Sequence, residues 1–187
     1  GAAPAEFLDH VGAPLRQALV LTRNALVGTG LKDEVRLACS GKQISAFSMA
    51  SSLALGADWV NTARGFMFAL GCIQSLNCHN NTCPTGIATS NMSRQRGLVV
   101  EDKAIRVRNF HHNTVKALME VVGAAGCAHP SELTPRHVMH RVTEDISYTA
   151  ERAYQLISNG QLLDAPDETQ LAEEWRMAQA ASFHPAI

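Results

Sequence analysis

Aromatic residues are scarce in this sequence, since Phe, Trp and Tyr make up 5% of its 187 residues. A core must therefore be built largely from Ala, Leu, Val and Met. An excess of charge of one sign is also lacking, because the formal net charge is −1, and this excludes strong electrostatic attraction to nucleic acid or an anionic membrane. No run approaches the roughly 20 apolar residues of a transmembrane helix, and no signal-peptide pattern is present. We expect a cytoplasmic protein without a nucleic-acid partner.

A disulfide framework is excluded as well. The sequence has five cysteines, an odd number, and three of them fall within the stretch from Cys72 to Cys83. Secreted domains held together by disulfides are shorter and denser in cysteine. A cluster of three cysteines in an otherwise ordinary sequence is more typical of a metal or iron–sulfur site, and Cys39 and Cys127 are interpreted as structural.

What the sequence does contain is a strand and helix alternation. Apolar spacing predicts a helix over residues 4–30, strands over 35–39 and 58–63, and helices over 44–55 and 66–70. Short connections in this order favour parallel βα units, and the short, apolar strands are expected to be covered on both faces.

The rest of the chain predicts a different organisation. Residues 72–100 are polar and irregular, and a long helix follows over 102–125. A short helix is predicted from Thr134 through Val142, and another over 146–159. The residues after 163 are interpreted as a peripheral helix or tail.

A glycine turn with a basic residue follows each predicted strand. The turns are Ser40-Gly41-Lys42 and Ala63-Arg64-Gly65. Glycine at such a turn lets backbone N–H groups approach an anion closely, and the next helix adds its positive end. In a (β/α)₈ barrel, the loops after strands seven and eight often share a phosphate site. The alternative interpretation is a pair of ordinary turns whose Lys42 and Arg64 are solvated.

The three clustered cysteines are the most specific pattern. Their spacing is Cys72-x5-Cys78-x4-Cys83, and Pro84 follows. Thiolates in one loop followed by proline are typical of iron–sulfur ligands. Zinc is an alternative, with His79 as a fourth ligand, although adjacent residues rarely both reach one metal. Three reduced, buried cysteines without a metal are the remaining interpretation.

Two long segments around these cysteines resemble a known family. The segment from Trp59 to Cys72, and the one from Cys78 to Thr89, are similar to the synthase domain of glutamate synthases. The similarity is greater to the stand-alone FMN-binding glutamate synthase family proteins, which lack a glutaminase part. It covers roughly residues 1–165 and includes the helix carrying residues 108–114.

This resemblance implies an α/β fold. The chain would be the C-terminal portion of an FMN-binding (β/α)₈ TIM barrel, about strands 7 and 8, followed by a Cys-rich loop and C-terminal helices. We expect the last βα units over 1–71, an iron–sulfur loop over 72–100, a helical extension over 101–165 and a peripheral tail over 166–187. By itself the chain would be mostly helical. Gly1, which is not a methionine, would be an interior residue of a longer polypeptide, in the loop after strand six.

The resemblance also implies two cofactors. The family's FMN-phosphate loops match Ser40, Gly41, Lys42, Ala63, Arg64 and Gly65, and its three [3Fe–4S] ligands match Cys72, Cys78 and Cys83. Three ligands suffice for a three-iron cluster, which accounts for the count of cysteines in the loop. Whether the chain alone holds either cofactor is left open.

The family chemistry is reductive. Electrons pass through the cluster to FMN, which reduces 2-iminoglutarate, formed from 2-oxoglutarate and ammonia, to glutamate. The implied partners are the barrel upstream of Gly1, an electron donor protein or reductase subunit, and 2-oxoglutarate or glutamate. No catalytic residue is assigned, because His79, His111 and His112 are interpreted as structural. We expect the chain alone to be inactive, and its unpaired strand edges favour oligomerisation.

Two other functions are compatible with the residues. One is a non-catalytic, truncated helical interaction module that binds no flavin. The other is a zinc-stabilised structural domain built on the three cysteines and a nearby histidine.

Overall fold

The computed structural model describes residues 3–8 and 10–186. In chain order, the helices are α1 (Ala5–Leu8), α2 (Leu15–Gly28), α3 (Ala46–Ala54), α4 (Arg64–Leu70), α5 (Met92–Gln95), α6 (Val100–Ala124), α7 (Ala150–Ala153), α8 (Gln161–Asp164) and α9 (Ala172–Met177). The strands are β1 (Ala38–Ser40), β2 (Trp59–Asn61), β3 (Met139–Arg141) and β4 (Ser147–Thr149). Single 3₁₀ turns occupy Pro130–Glu132, Pro135–His137 and Pro166–Glu168.

The predicted order of strand, helix, strand, helix is confirmed from β1 to α4. β1 and β2 pair in parallel, with Ala38 opposite Trp59 and Ser40 opposite Asn61. Both strands are shorter than predicted. Because the pairing is parallel and in register, the carboxyl ends of the two strands lie side by side at one edge of the sheet.

One face of this small sheet is covered and the other is open. Cys39 and Val60 point toward α2 and α3, where they pack with Leu19, Val20 and Leu55. Successive side chains of a strand point to opposite faces. The other face is formed by residues that are all exposed: Ala38, Ser40, Trp59 and Asn61. In the part of the chain that the structure describes, the helices therefore form a layer on one side of the sheet only, and the expectation that both faces are covered is wrong there.

The long helix α6 forms a second core with α3. Ala50 and Ala54 of α3 pack with Val122 of α6 and with Leu133. α6 also packs along α4, which begins directly after β2. Within the described residues, no helix is long and apolar enough to cross a membrane, α6 included.

Three predicted helices are wrong over part of their length. Residues 11–14 interrupt the helix predicted over 4–30, because Gly12 has φ +90° and α2 starts only after Pro14. The helix predicted through 142 is instead β3, which pairs antiparallel with β4. Of the helix predicted over 146–159, α7 is the helical part. Pairing between β3 and β4 supplies backbone hydrogen bonds that local periodicity does not reveal. Gly1 and Ala2, placed by the resemblance in a loop after strand six, lie outside the described residues.

Candidate functional site

The two predicted glycine turns meet at one edge of the sheet. Ser40 ends β1 directly opposite Asn61, so the turn 40–42 starts at one residue of this pair and the turn 63–65 follows the other after Thr62. Gly41 has φ +136°, a conformation that side-chain-bearing residues rarely adopt, and this accounts for glycine at that position. Lys42 also has a positive φ, +51°. The structure thus brings together the two turns that the sequence picked out.

A buried glutamine joins these turns. Gln43 is 7% exposed, and its backbone carbonyl accepts a hydrogen bond from the hydroxyl of Thr62, which lies between β2 and the second turn. The side-chain Nε2 of Gln43 donates to the carbonyl of Gly41 at 3.3 Å. Its Oε1 accepts from the hydroxyl of Ser52 at 3.2 Å. Sequence reasoning missed Gln43 and Thr62, because a single polar residue in a turn carries no periodic signal.

The same network reaches into the sheet. Ser52 is buried on α3 and forms a hydrogen bond with Cys39 of β1. Burial raises the pKa of the Cys39 thiol, and the contact with Ser52 opposes that rise without cancelling it. Cys39 is therefore a neutral core thiol that helps fix α3 against β1.

An open cleft lies beside the first turn. It encloses about 570 Å³ and is lined by the segment 11–15, Ala18, Ser40, Gly41 and Lys42. The cleft combines apolar side chains with the backbone of the glycine turn. Apolar lining with a few polar groups is typical of small-molecule sites.

The glycine of the second turn has a packing role. Gly65 is buried at the start of α4, and a Cβ added to it would lie 2.5 Å from Cζ of Phe110 on α6. Phe110 in turn makes an edge-on contact with Phe66, with ring centroids 5.2 Å apart. A side chain at Gly65 would therefore force the Phe110 ring of α6 to shift, and this packing favours glycine independently of any bound anion.

The Cys-rich segment starts at the end of α4. Gly71 has φ +106°, and the N–H of Cys72 donates to the carbonyl of Met67 at 2.9 Å. This is a glycine-terminated helix end. It fixes the backbone of Cys72 relative to α4, and through α4 relative to the second turn.

Asn81 organises the middle of this segment. Its Nδ2 donates to the hydroxyl of Ser90 at 2.5 Å and its Oδ1 accepts from the N–H of Ser90 at 2.6 Å. Its carbonyl accepts from the hydroxyl of Thr89 at 2.7 Å. Arg94 adds a 2.7 Å hydrogen bond from Nη1 to the carbonyl of Thr82. These contacts replace regular secondary structure as the source of order in the loop.

Cys83 lies among hydrogen-bond donors. Its side chain is buried, and burial raises the pKa of the thiol. Hydrogen bonds from the hydroxyl of Thr85 and from the backbone N–H groups of Ala88, Thr85 and Ile87 outweigh burial and lower the pKa to about 7. Donors that converge on one sulfur stabilise a thiolate, which is the form that binds metals.

The three predicted ligands share one loop but are not gathered around one point. Cys72 and Cys78 are half-buried and Cys83 is buried, and all three are free thiols. Among the residues that the structure describes, no group of three His, Cys, Asp or Glu side chains could hold a metal ion. The chemistry of the donor set, three thiols with one held in a thiolate-stabilising turn, nevertheless fits a thiolate-bound cluster.

The three histidines considered in the sequence, His79, His111 and His112, are all exposed. The His111 ring stacks on Phe66 with centroids 6.2 Å apart. It lines a second cleft of about 640 Å³ that also contains Trp59, Phe110 and His129. His111 thus has a structural contact with Phe66.

Comparison with known proteins agrees with the resemblance seen in the sequence. The family described as "Conserved region in glutamate synthase" matches residues 1–128, which is more than half of the chain. The glutamate synthase large subunit-like protein YerD of Bacillus subtilis is 41% identical over 141 residues, which cover 75% of this chain and 27% of that protein. The archaeal glutamate synthase [NADPH] of Methanocaldococcus jannaschii is 36% identical over 126 residues, covering 67% of this chain and 25% of that protein.

The same similarity extends to larger enzymes. The glutamate synthase [NADPH] large chain of Bacillus subtilis is 29% identical over 147 residues, covering 73% of this chain and 10% of that protein. The chain spans about a quarter of the length of the first two relatives. By the extent of the family match and the identity to its relatives, the chain belongs to the glutamate synthase family.

Proposed function

We propose that this chain supplies the last two βα units of a (β/α)₈ barrel in a glutamate-synthase-type oxidoreductase. The observation that carries the proposal is the parallel register that sets Ser40 opposite Asn61 and places both glycine turns at one edge. Helices cover one face of the sheet, as in the outer layer of a barrel. The open face, which includes the exposed Trp59, would face the barrel interior. The remaining strands of the barrel would come from elsewhere in the polypeptide.

The turns would hold the phosphate of FMN. Ser40, Gly41 and Lys42 would approach it from β1, and Ala63, Arg64 and Gly65 from β2. Gly41 supports this role, because it has the φ of +136° that the turn requires and no side chain that would keep a ligand away from its backbone. When bound, FMN supplies hydride transfer to the imine of 2-iminoglutarate. This chain's own contribution is to fix the anionic end of the flavin.

The Cys-rich segment would hold a [3Fe–4S] cluster through Cys72, Cys78 and Cys83. The thiolate-stabilising turn at Cys83 supports this role. Hydrogen bonds to ligand sulfurs also tune the potential of such clusters. The segment is tied to the second turn through α4, so its position relative to the flavin site is fixed by a short helix.

The reaction proposed for the whole protein is reductive synthesis of glutamate from 2-oxoglutarate and ammonia. The relatives are named glutamate synthases, and two of those named here carry NADPH in their names. An electron donor protein or reductase subunit is the proposed partner, in the cytoplasm. The 187-residue chain alone is expected to be inactive, because two strands cannot close a barrel.

Flavin binding tests the first part of this proposal. The complete gene product is stripped of flavin and titrated with FMN while the flavin fluorescence is followed. Saturable binding of one FMN per chain is expected, and glutamate formation from 2-oxoglutarate, ammonia and a reductant should require it. A gene product that binds no FMN would overturn the assignment of the turns.

Iron content tests the second part. The wild-type protein and five Cys→Ser variants are purified without oxygen and analysed for iron and zinc. Substitution of Cys72, Cys78 or Cys83 should remove most of the iron, whereas Cys39→Ser and Cys127→Ser should retain it. One zinc per chain without iron would instead identify a structural zinc domain. Equal iron content in all five variants would rule out the proposed ligands.

A further inference from the structure

We infer that Gln43 and Thr62 are positioning residues that set the distance between the two glycine turns. They thereby determine the affinity of the site for a phosphate group. The inference rests on the proposed FMN site and adds a pair of residues that need not touch the ligand. The sequence motifs end at Lys42 and begin again at Ala63. Gln43 and Thr62 are the residues that adjoin the two motifs on their inner sides.

Gln43 contacts the first turn directly and is linked to the second turn through Thr62. Its side chain is tied to the carbonyl of Gly41, one turn residue, at 3.3 Å. Its backbone carbonyl is tied to the hydroxyl of Thr62, one residue before the other turn. A shift of either turn would therefore have to break a hydrogen bond of a buried residue, and a buried polar group left unpaired is costly.

Burial makes this connection stiff. Gln43 is 7% and Ser52 is 3% exposed, so water cannot readily replace the hydrogen bond between them. Ser52 belongs to α3, which packs directly against the sheet. The link between the turns is thus anchored to the core, and not to flexible side chains at the surface.

The chemistry explains why a fixed distance matters. A phosphate held by two separate turns binds tightly only if the hydrogen-bond donors of both turns are already at the right separation. Ordering these donors on binding would cost free energy and weaken the affinity. Lys42 and Arg64 supply charge, but long side chains can follow an ion that moves. The backbone N–H donors of the turns cannot follow a moving ion. Their spacing must therefore be correct beforehand, and Gln43 and Thr62 fix that spacing.

The test compares FMN with riboflavin, which has the same ring system without the phosphate. Dissociation constants for both are measured in the flavin-free complete gene product, for wild type, Thr62→Val and Thr62→Ser. Thr62→Val keeps the shape and removes the hydroxyl, and it should weaken FMN binding about tenfold while riboflavin binding stays within about twofold. Thr62→Ser restores the hydroxyl and should restore the preference for FMN. Gln43→Leu should reduce the preference for FMN over riboflavin at least as much as Thr62→Val does.

A matched control is available in Thr169. Its hydroxyl donates to the carbonyl of Pro166 at 2.8 Å, far along the chain from the turns. Thr169→Val removes this hydrogen bond and the one that the hydroxyl accepts from the N–H of Leu171 at 3.2 Å, and it should leave the ratio of the two dissociation constants unchanged. A variant that simply misfolds would weaken both flavins together, and thermal unfolding without flavin identifies it.

The outcomes separate this inference from the proposed function. If wild type binds FMN no better than riboflavin, the phosphate site itself is absent. If wild type prefers FMN and Thr62→Val prefers it equally, the turns are a phosphate site but Gln43 and Thr62 do not position them. A lost preference in Thr62→Ser as well would show that the methyl geometry matters, and not the hydroxyl, and would also overturn the inference.

Discussion

Two hydrogen bonds join Leu37 and Asp58 at the start of the parallel sheet. The N–H of Leu37 donates to Oδ2 of Asp58 at 2.6 Å, and the N–H of Asp58 donates to the carbonyl of Leu37 at 2.7 Å. Lys32 adds an ammonium 2.9 Å from the same carboxylate oxygen. Because Leu37 precedes β1 and Asp58 precedes β2, these contacts align the strands at the end opposite the glycine turns.

This arrangement predicts a pH-dependent contribution to stability. Burial alone would raise the pKa of Asp58, but the Leu37 N–H and the Lys32 ammonium lower it below its ordinary value. The ionised Asp58 carboxylate contributes its full stabilisation above the pKa of Asp in the unfolded chain, about 3.9. That stabilisation is lost as the pH falls through the lower pKa of Asp58 in the folded protein. Asp58→Asn should reduce the free energy of unfolding by about 1–2 kcal/mol at pH 7. Urea unfolding of wild type and Asp58→Asn between pH 7 and pH 2.5 measures the difference in the free energy of unfolding at each pH.

Asp145→Asn is the control for this prediction. Asp145 is exposed in the connection between β3 and β4. Substitutions at exposed surface positions change stability little, so the change should be under about 0.5 kcal/mol. An Asp58→Asn curve parallel to wild type at every pH would show that the Asp58 carboxylate is not the source of the acid sensitivity.

A second prediction concerns the contact between α4 and α6. Gly65→Ala places a Cβ 2.5 Å from Cζ of Phe110, and overpacking of this kind costs about 1–3 kcal/mol. Gly123, on α6, has nothing within 4 Å of an added Cβ. Gly123→Ala should therefore stabilise the helix by up to about 1 kcal/mol. The two variants should move the melting temperature in opposite directions, and a Gly65→Ala variant as stable as wild type would contradict the close approach of α6.

A third prediction separates backbone strain from steric contact by comparing Gly86, in the Cys-rich segment, with Gly126, which follows α6. Gly86 and Gly126 both have φ +80°. An added Cβ at Gly86 would meet the backbone carbonyl of Arg94, whereas at Gly126 nothing lies within 4 Å. Gly126→Ala should cost about 1–2 kcal/mol from φ alone. Gly86→Ala should cost more and, on the proposed function, lower the iron content. Equal losses of stability in the two variants would show that the contact with the Arg94 carbonyl does not contribute to the loss.

The pattern of predicted and missed features has a physical cause. β1, α3, β2 and α4 follow from local signals, since each strand is a short apolar run and each helix is bounded by glycine or by a capping serine such as Ser45. The turns at Gly41 and Gly65 were found for the same reason. Gln43 was not, because its importance arises from Thr62 and Ser52, which lie 19 and 9 residues away in sequence.

The C-terminal region shows the opposite case. Met139–Arg141 was predicted to continue a helix, yet it pairs with Ser147–Thr149 as a hairpin. Ala150 then donates to the carbonyl of Val138 at 2.8 Å, which fixes α7 beside the strands. Such pairing depends on contacts between segments, and no periodicity in either segment alone predicts it.

The last prediction concerns Asn81, which combines a left-handed backbone with two side-chain hydrogen bonds. Its φ is +65°, and its side chain holds both the N–H and the hydroxyl of Ser90 at 2.6 and 2.5 Å. Asn81→Gly removes the hydrogen bonds and keeps the conformation accessible, whereas Asn81→Ala removes the bonds and adds strain of about 1 kcal/mol. The alanine variant should therefore be the less stable of the two. In both, the Ser90 amide should exchange with deuterium about tenfold faster or more, because its acceptor is gone. Asn113→Ala, at an exposed position of α6, should leave that exchange rate unchanged, and unaltered exchange at Ser90 in Asn81→Gly would show that Asn81 does not order the loop.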